Sequence, residues 1–270
     1  MLKTEMRNEK TMHLDKMSTA EMLKVISDEN YNAVRAVEQA LPEIEKAVDL
    51  VADAIEKGGR LIYVGAGTSG RLAVADAAEC PPTFGVDYNV VRAVIAGGES
   101  TLVRAAENQE DFPDKGKEDL LALNISDKDI VCGISASGGA AYVAGALKAA
   151  KEKGCKTLSL SSNPDTLIGS FADVEMVTDT GAEVVQGSTR MKAGTAQKLV
   201  LNMLSTCAMV KTGKVYENVM INLKPTNIKL RKRMIGIVCS LAGVDEATSE
   251  KALEQSGFVI RGALEILEDK

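Results

Sequence analysis

Histidine is almost absent from this 270-residue chain, in which His13 is the only one. Its place near the N-terminus makes imidazole acid/base catalysis at a site built elsewhere in the chain improbable, and no metal site with several histidines can be assembled. Proton transfer therefore falls to carboxylates, with lysine as a possible helper.

Aromatic residues make up 3% of the chain, tryptophan is absent, and the net charge is −6, which argues against a nucleic-acid surface. No apolar run approaches the length of a membrane span, and the N-terminus lacks the basic-then-apolar layout of a signal peptide. The five cysteines form no Cys-x-x-Cys pair, which is typical of core residues in a reducing compartment. We therefore expect a cytoplasmic protein with neither nucleic-acid nor membrane partners.

A glycine-rich loop follows the apolar, strand-like run 61–64. The loop is Gly65-Ala-Gly-Thr-Ser-Gly70, and a helix-forming stretch comes directly after it. A strand, a glycine loop and a helix N-terminus together build an anion site. The letters also fit the dinucleotide pattern G-x-G-x-x-G. Two details argue against a dinucleotide. The hydroxyls of Thr68 and Ser69 suit a phosphate monoester better than a pyrophosphate. A dinucleotide-binding domain also has a ribose-binding acid at the end of its second strand, but here two glycines follow that strand and only then Glu99.

A second loop of this kind follows the strand-like run 129–134. It reads Ser135-Ala-Ser-Gly-Gly139 and precedes a strongly helical stretch. Either loop alone could be an ordinary tight turn, but two loops after apolar strands converge at the carboxyl edge of one parallel sheet. The sequence therefore predicts a small phosphorylated ligand held by Gly67, Thr68, Ser69, Ser135, Ser137 and Gly138.

Strand-like and helical segments alternate along the chain. Strands are predicted near 60–65, 90–96, 129–134, 156–160 and 174–178, which indicates an α/β fold with helices on both faces of a five-stranded parallel sheet. We expect an N-terminal arm with helices at 1–57, a central domain at 58–224 and a helical bundle at 225–270. A capping box is predicted at Ser18. The helix 191–210, apolar on nearly every side, predicts a homodimer.

Several segments make the chain resemble a known group. The two loops resemble the sugar isomerase (SIS) fold. The segments Thr4-Glu-Met-Arg-Asn8, Ala78-Glu-Cys-Pro-Pro-Thr-Phe84 and Gly187-Ser-Thr-Arg-Met-Lys-Ala-Gly-Thr-Ala-Gln-Lys198 resemble the N-acetylmuramic acid 6-phosphate etherase family. The resemblance implies a three-layer αβα sandwich, no metal or redox cofactor, and cleavage of a D-lactyl ether to give N-acetylglucosamine 6-phosphate and D-lactate.

Two glutamates are the candidate acid/base groups. Glu79 follows an apolar stretch and precedes Cys-Pro-Pro, which we expect to end its helix; a surface glutamate is the alternative interpretation. By spacing alone, Glu107, Glu110 or Asp111 could serve as the second carboxylate. The resemblance assigns the catalytic roles to Glu79 and Glu110.

The chain departs from the family pattern beside the second phosphate loop. Gly139-Ala-Ala141 stands where the family has Arg-Thr-Pro, so an arginine beside the phosphate loop is missing. Arg190 or Lys192 could supply the charge, although either could also be an interface or surface residue. Two other functions remain open: a non-catalytic phosphosugar regulator, similar to the glucokinase regulatory proteins, and an aldose–ketose phosphosugar isomerase.

Overall fold

The computed structural model describes residues 2–106, 108–225 and 227–268. The chain divides into two compact units, of which the first comprises residues 1–77 and 89–208 and the second comprises 78–88 and 209–270. No helix within the described residues has the length and apolar character needed to cross a membrane. The domain boundaries expected from the sequence stay a prediction.

A five-stranded parallel sheet lies at the centre of the first unit. Its strands are β1 (Leu61–Gly65), β2 (Val91–Ile95), β3 (Ile130–Ile134), β4 (Lys156–Ser161) and β5 (Val174–Val177), and their spatial order is β2-β1-β3-β4-β5. Every residue of β1 and β3 is buried, as expected for central strands covered on both faces. The predicted parallel α/β fold is confirmed.

Helices connect the strands and flank the sheet. They are α1 (Thr19–Gln39), α2 (Leu41–Glu56), α3 (Gly67–Phe84), α4 (Pro113–Leu121), α5 (Ala141–Glu152) and α6 (Lys192–Lys211). The predicted capping box is present: Ser18 accepts from the Glu21 amide, and the Glu21 carboxylate accepts from the Ser18 amide. The helix α1 therefore begins directly after Ser18, as the sequence predicts.

Residues 2–17 form short 3-10 turns, and their hydrogen bonds reach distant parts of the first unit. The backbone N–H of Lys3 donates to Asn163 Oδ1 (2.9 Å), and Asn163 Nδ2 donates to the buried Thr4 hydroxyl (3.1 Å). Further along, Thr11 donates to the carbonyl of Val184 (2.8 Å). The predicted N-terminal arm is therefore held by hydrogen bonds to residues far along the chain within the first unit.

A buried carboxylate joins α3 to β1 and α6. Asp76 accepts from Tyr63 (3.0 Å), Asn202 (2.7 Å) and Ser205 (3.1 Å). Burial raises the pKa of Asp76 above its usual range, although these three hydrogen bonds favour the charged form. Because all three donors need an acceptor, Asp76 holds α3 against β1 and α6.

The second unit contains the hairpin strands β6 (Val215–Tyr216) and β7 (Val219–Met220) and the helices α7 (Ile228–Ala242), α8 (Glu246–Gln255) and α9 (Ile260–Glu268). Its core includes Met234, Val238, Leu253, Ile260 and Leu264. The predicted breaks at Gly243 and Ser256-Gly257 are confirmed, since α7 ends before Gly243, which is in the left-handed region, and α8 ends before Ser256.

The Cys-Pro-Pro segment does not end α3, so that expectation was wrong. The helix continues through Pro81 and Pro82 to Phe84. Each proline removes a hydrogen bond to the carbonyl four residues earlier and crowds that carbonyl with its ring, so this last turn of α3 is formed at an energetic cost. The Gly85 amide donates to the carbonyl of Pro81 (2.9 Å), which closes that turn.

Candidate active site

The two hydroxyl-rich loops begin side by side. In the register of β1 against β3, Gly65 pairs with Ile134, so the chain leaves both strands at the same level of the sheet. A cavity of about 280 Å³ lies there. Its described lining residues are Glu5, Ala66, Gly67, Thr68, Ser69, Glu110, Ile134, Ser135, Ala136, Ser137, Ala140, Gly187 and Thr189. The structure therefore brings the predicted serine and threonine residues together.

The first loop presents a helix N-terminus to this cavity. The helix α3 begins at Gly67, so its first amide groups and the positive end of its dipole lie at the cavity wall. Gly67 has a φ of +53°, a conformation that favours glycine. A Cβ on Gly65 would stand 2.8 Å from the Gly70 nitrogen, so only glycine allows the turn to be this tight.

The second loop holds its serine hydroxyls through the backbone. The amide of Gly138 donates to Ser135 Oγ and the amide of Gly139 donates to Ser137 Oγ, both at 3.2 Å. Because each oxygen accepts from a backbone amide, its hydroxyl hydrogen can be donated to a bound anion. Gly138 itself does not line the cavity; its φ of +79° and its closeness to Thr166 mean that it shapes the loop.

Ser69 is held by a residue from α6. Its hydroxyl donates to Gln197 Oε1 at 2.9 Å, and both side chains are buried. The Gln197 Nε2 group has no hydrogen-bond partner among the described residues. Gln197 lies in the segment 187–198 that resembles the etherase family, but nothing in that segment marks it as a site residue.

Glu110 is the second-carboxylate candidate that lines the cavity. It lies in a 3-10 turn, Gln109–Asp111, that follows Asn108 in the left-handed conformation. Asp111 is not among the lining residues, and Glu107 lies outside the described residues. Of the alternatives that spacing left open, the geometry favours Glu110.

Glu79 belongs to the second unit, where it is exposed on the part of α3 that enters that unit. A partnership between Glu79 and Glu110 stays a prediction.

Neither proposed replacement cation lines the cavity. Lys192 is 1% exposed, and its ammonium donates to Glu29 Oε2 and to the carbonyl of Ala182, both at 2.6 Å. Burial alone would raise the pKa of Glu29, but hydrogen bonds from Lys10, Lys192 and Asn8 lower it to about 2. The charge of Lys192 is therefore balanced by Glu29, contrary to our expectation that it could replace the missing arginine. Arg190 is exposed and also lies outside the lining residues.

Glu5 is a lining residue that sequence reasoning did not select as a site residue. Its backbone carbonyl accepts from Gln186 Nε2 at 2.9 Å, and its carboxylate lies close to Gly187. Its position depends on the bound N-terminal arm, for which the sequence carried no periodic signal. Two carboxylates, those of Glu5 and Glu110, therefore lie at the wall of this cavity.

A second cavity, of about 360 Å³, shares three lining residues with the first: Ala66, Gly67 and Glu110. Arg71, one turn along α3 from Gly67, also lines it. Within the described part of the chain, no group of three or more His, Cys, Asp or Glu side chains is placed to hold a metal ion.

Comparison with solved structures identifies the fold. The phosphoheptose isomerase of Neisseria gonorrhoeae is 21% identical, with a TM-score of 0.54 over 71% of this chain and 98% of that one. The phosphoheptose isomerase of Francisella tularensis is 19% identical, with a TM-score of 0.53 over the same shares. These structures share the fold of the sheet and its helices with this chain.

Comparison with protein families and sequences identifies the relatives. Residues 43–151 match the glucokinase regulatory protein N-terminal SIS domain, and residues 98–206 match the SIS domain. The N-acetylmuramic acid 6-phosphate etherases of Yersinia pestis (strain Pestoides F) and Yersinia pseudotuberculosis (serotype I, strain IP32953) are each 52% identical over 264 residues, which covers 98% of this chain and 90% of theirs. The resemblance found in the sequence is confirmed, and the chain belongs to the N-acetylmuramic acid 6-phosphate etherase family.

Proposed function

We propose that this protein cleaves the D-lactyl ether of N-acetylmuramic acid 6-phosphate, giving N-acetylglucosamine 6-phosphate and D-lactate in the recycling of cell-wall amino sugars. The observation that carries the proposal is the single cavity in which two hydroxyl-rich loops meet Glu110. The identity of 52% to etherases over nearly the whole chain supports the same reaction.

The phosphate is bound at the loops. Thr68, Ser69, Ser135 and Ser137 supply hydroxyl donors, and the start of α3 supplies backbone amides and a favourable dipole. Each hydrogen bond to a charged phosphate contributes on the order of 1.5–3 kcal/mol. Because the phosphate is remote from the reacting carbons, its binding energy orients the sugar.

The chemistry needs acid/base groups and no redox step. In the opened sugar, the C1 aldehyde acidifies the proton at C2; a base removes it, and lactate leaves from C3. Water then adds to the unsaturated aldehyde at C3. Two positioned carboxyl groups can carry these proton transfers. Glu79 would serve the elimination, and Glu110 would assist it or serve the addition of water.

The loop without arginine changes how the phosphate is bound. No lysine or arginine is among the described residues that line the serine cavity. Neutral hydroxyls and the amides of α3 therefore form the anchor in our proposal, in place of the family's charged side chain.

We also propose that the chain acts as a homodimer in the cytoplasm. Three apolar side chains of α1 are largely exposed: Leu23 (64%), Tyr31 (61%) and Val34 (54%). A second copy of the chain would cover such a face. The five cysteines form no disulfide, which fits a reducing compartment. Light scattering at micromolar concentration should give the mass of a dimer; a monodisperse monomer would contradict this assembly.

Incubation with N-acetylmuramic acid 6-phosphate and an assay for D-lactate tests the function directly. Release of lactate together with N-acetylglucosamine 6-phosphate is the expected result. Tight binding of the sugar phosphate without lactate release would instead support a regulator. Interconversion of an aldose and a ketose phosphate, again without lactate, would support an isomerase.

A further inference from the structure

The second cavity continues from the serine cavity along α3. The two cavities share Ala66, Gly67 and Glu110, so Glu110 lies at the wall of both. Gly67 begins α3, and Arg71 follows one helical turn later. The same helix therefore presents its N-terminal amides to one cavity and a guanidinium to the next.

Arg71 and Glu110 are the charged side chains among the described residues that line the second cavity. The Nε group of Arg71 donates to the carbonyl of Leu102 at 3.2 Å, which fixes the stem of the side chain. A guanidinium has five N–H donors in all, and its planar fork matches the two oxygens of a carboxylate.

We propose that Arg71 binds the carboxylate of the lactyl group. This inference rests on the proposed function, whose substrate has an anion at each end: the phosphate on C6 and the lactyl carboxylate on C3. The structure offers a matching pair of anion sites, serine loops on one side and Arg71 on the other. Glu110 stands between them, where the reacting carbons C2 and C3 would lie.

The arrangement also distinguishes substrate from product. Before cleavage the sugar is held at both ends, so the C3–O bond is oriented by two anchors. After cleavage the lactyl carboxylate has left with lactate. The product, N-acetylglucosamine 6-phosphate, is then held only by the serine loops. Arg71 thus contributes to binding of the substrate and not to binding of this product.

A purely structural role is the competing explanation, because the hydrogen bond from Arg71 to Leu102 also connects α3 to a 3-10 turn that precedes the turn of Glu110. Loss of this structural hydrogen bond would impair every substrate alike. Loss of a carboxylate partner would impair only substrates with a negatively charged lactyl group.

The test compares kcat/KM for N-acetylmuramic acid 6-phosphate and for its neutral lactyl amide. The wild type should prefer the acid, and Arg71→Met should lower kcat/KM for the acid by about 10- to 100-fold while changing that for the amide by less than about threefold. Arg71→Lys, which keeps the charge without the fork, should fall in between. Arg104→Met replaces an exposed arginine outside the cavity and is the matched control.

Each outcome decides. Equal losses on acid and amide, or a wild type that does not distinguish them, would overturn the role of Arg71 and leave the etherase function standing. The dissociation constant of N-acetylglucosamine 6-phosphate should be the same for wild type and Arg71→Met; a weaker complex in the variant would also overturn it. Absence of lactate release by the wild type from both compounds would instead refute the proposed function, and this inference with it.

Discussion

The Ser69 hydroxyl donates its hydrogen to Gln197 Oε1 at 2.9 Å, while Gln197 Nε2 has no partner among the described residues. A buried donor without a partner is costly. If the amide turns over, Nε2 donates to Ser69 Oγ, and the hydroxyl hydrogen is released toward the cavity. A phosphate bound by Ser69, as we propose, would favour the turned amide, and Gln197 would then be a positioning residue for the anchor.

Gln197 should control the affinity for the phosphate through Ser69. In Gln197→Glu the carboxylate can only accept, so it holds the Ser69 hydrogen away from the ligand, and the affinity should fall by about 1–3 kcal/mol. Gln197→Met has no acceptor and leaves Ser69 free to donate, so its affinity should stay near the wild-type value. Calorimetric titration with N-acetylglucosamine 6-phosphate measures both.

The double variant separates this mechanism from simple charge repulsion. Once Ser69→Ala is present, Gln197→Glu should weaken binding no further, because the hydroxyl through which it acts is gone. An undiminished effect of Gln197→Glu in that background would mean that its negative charge acts on the phosphate directly.

The serine loops should each contribute to binding. Ser69→Ala and Ser137→Ala remove one donor apiece from a charged ligand, so each should weaken binding of a 6-phosphosugar by about 1–3 kcal/mol in the same titration. Ser126→Ala changes an exposed serine in the segment that precedes β3 and serves as the control. Unchanged affinity in both loop variants would refute the two-loop anchor.

The buried ion pair of Glu29 should make stability depend on acid. The pKa of Glu29 lies at about 2 in the folded protein against 4.5 ordinarily. A depressed pKa stabilises the fold above pH 4.5, and this contribution is lost as the pH falls toward 2. The side chain is 3% exposed, so a shift of this size corresponds to about 3 kcal/mol at pH 7.

Urea unfolding of wild type and Glu29→Gln at two pH values measures that contribution. The variant should be less stable at pH 7, and the difference in unfolding free energy should be about 2 kcal/mol smaller at pH 3. Glu43→Gln removes an exposed glutamate paired with Lys46 and is the control, with little change expected at either pH. A difference that does not depend on pH would contradict the low pKa of Glu29.

The sequence predicted the sheet and the meeting of its loops because those features obey local and general rules. Runs such as 61–65 and 130–134 are continuously apolar, and parallel strands end at a common edge. Glu5 could not be selected in the same way. Its place depends on hydrogen bonds between the polar arm and residues far along the chain, for which no periodic pattern exists.

Lys192 shows the other limit of sequence reasoning. Its motif suggested an anion partner, and the chain does supply one, but that partner is Glu29 rather than a ligand. Glu29 is in α1 and Lys192 is in α6, so the spacing of residues in the sequence does not show that they pair. Only the folded structure shows that Glu29 balances the charge of Lys192.

Replacing the two glutamates tests the chemistry. Glu79→Gln keeps the size and most of the hydrogen bonds but cannot exchange a proton, so phosphosugar binding should survive while lactate release falls at least about a hundredfold. Glu110→Gln should also be slow. If its main task follows the elimination, it should retain exchange of the C2 proton with solvent, which NMR in deuterium oxide detects; if it assists the elimination, that exchange should slow as well.

Asp111→Asn is the matched control, because Asp111 shares the turn of Glu110 without lining the cavity. This variant should release lactate at close to the wild-type rate. Loss of C2 exchange in Glu110→Gln but not in Glu79→Gln would reverse the two roles, because the group that removes the C2 proton is the one whose loss stops exchange. Lactate release at the wild-type rate from Glu79→Gln would show that the proton is removed by another group, and Glu5, the other carboxylate at the wall of the serine cavity, would be the first to test.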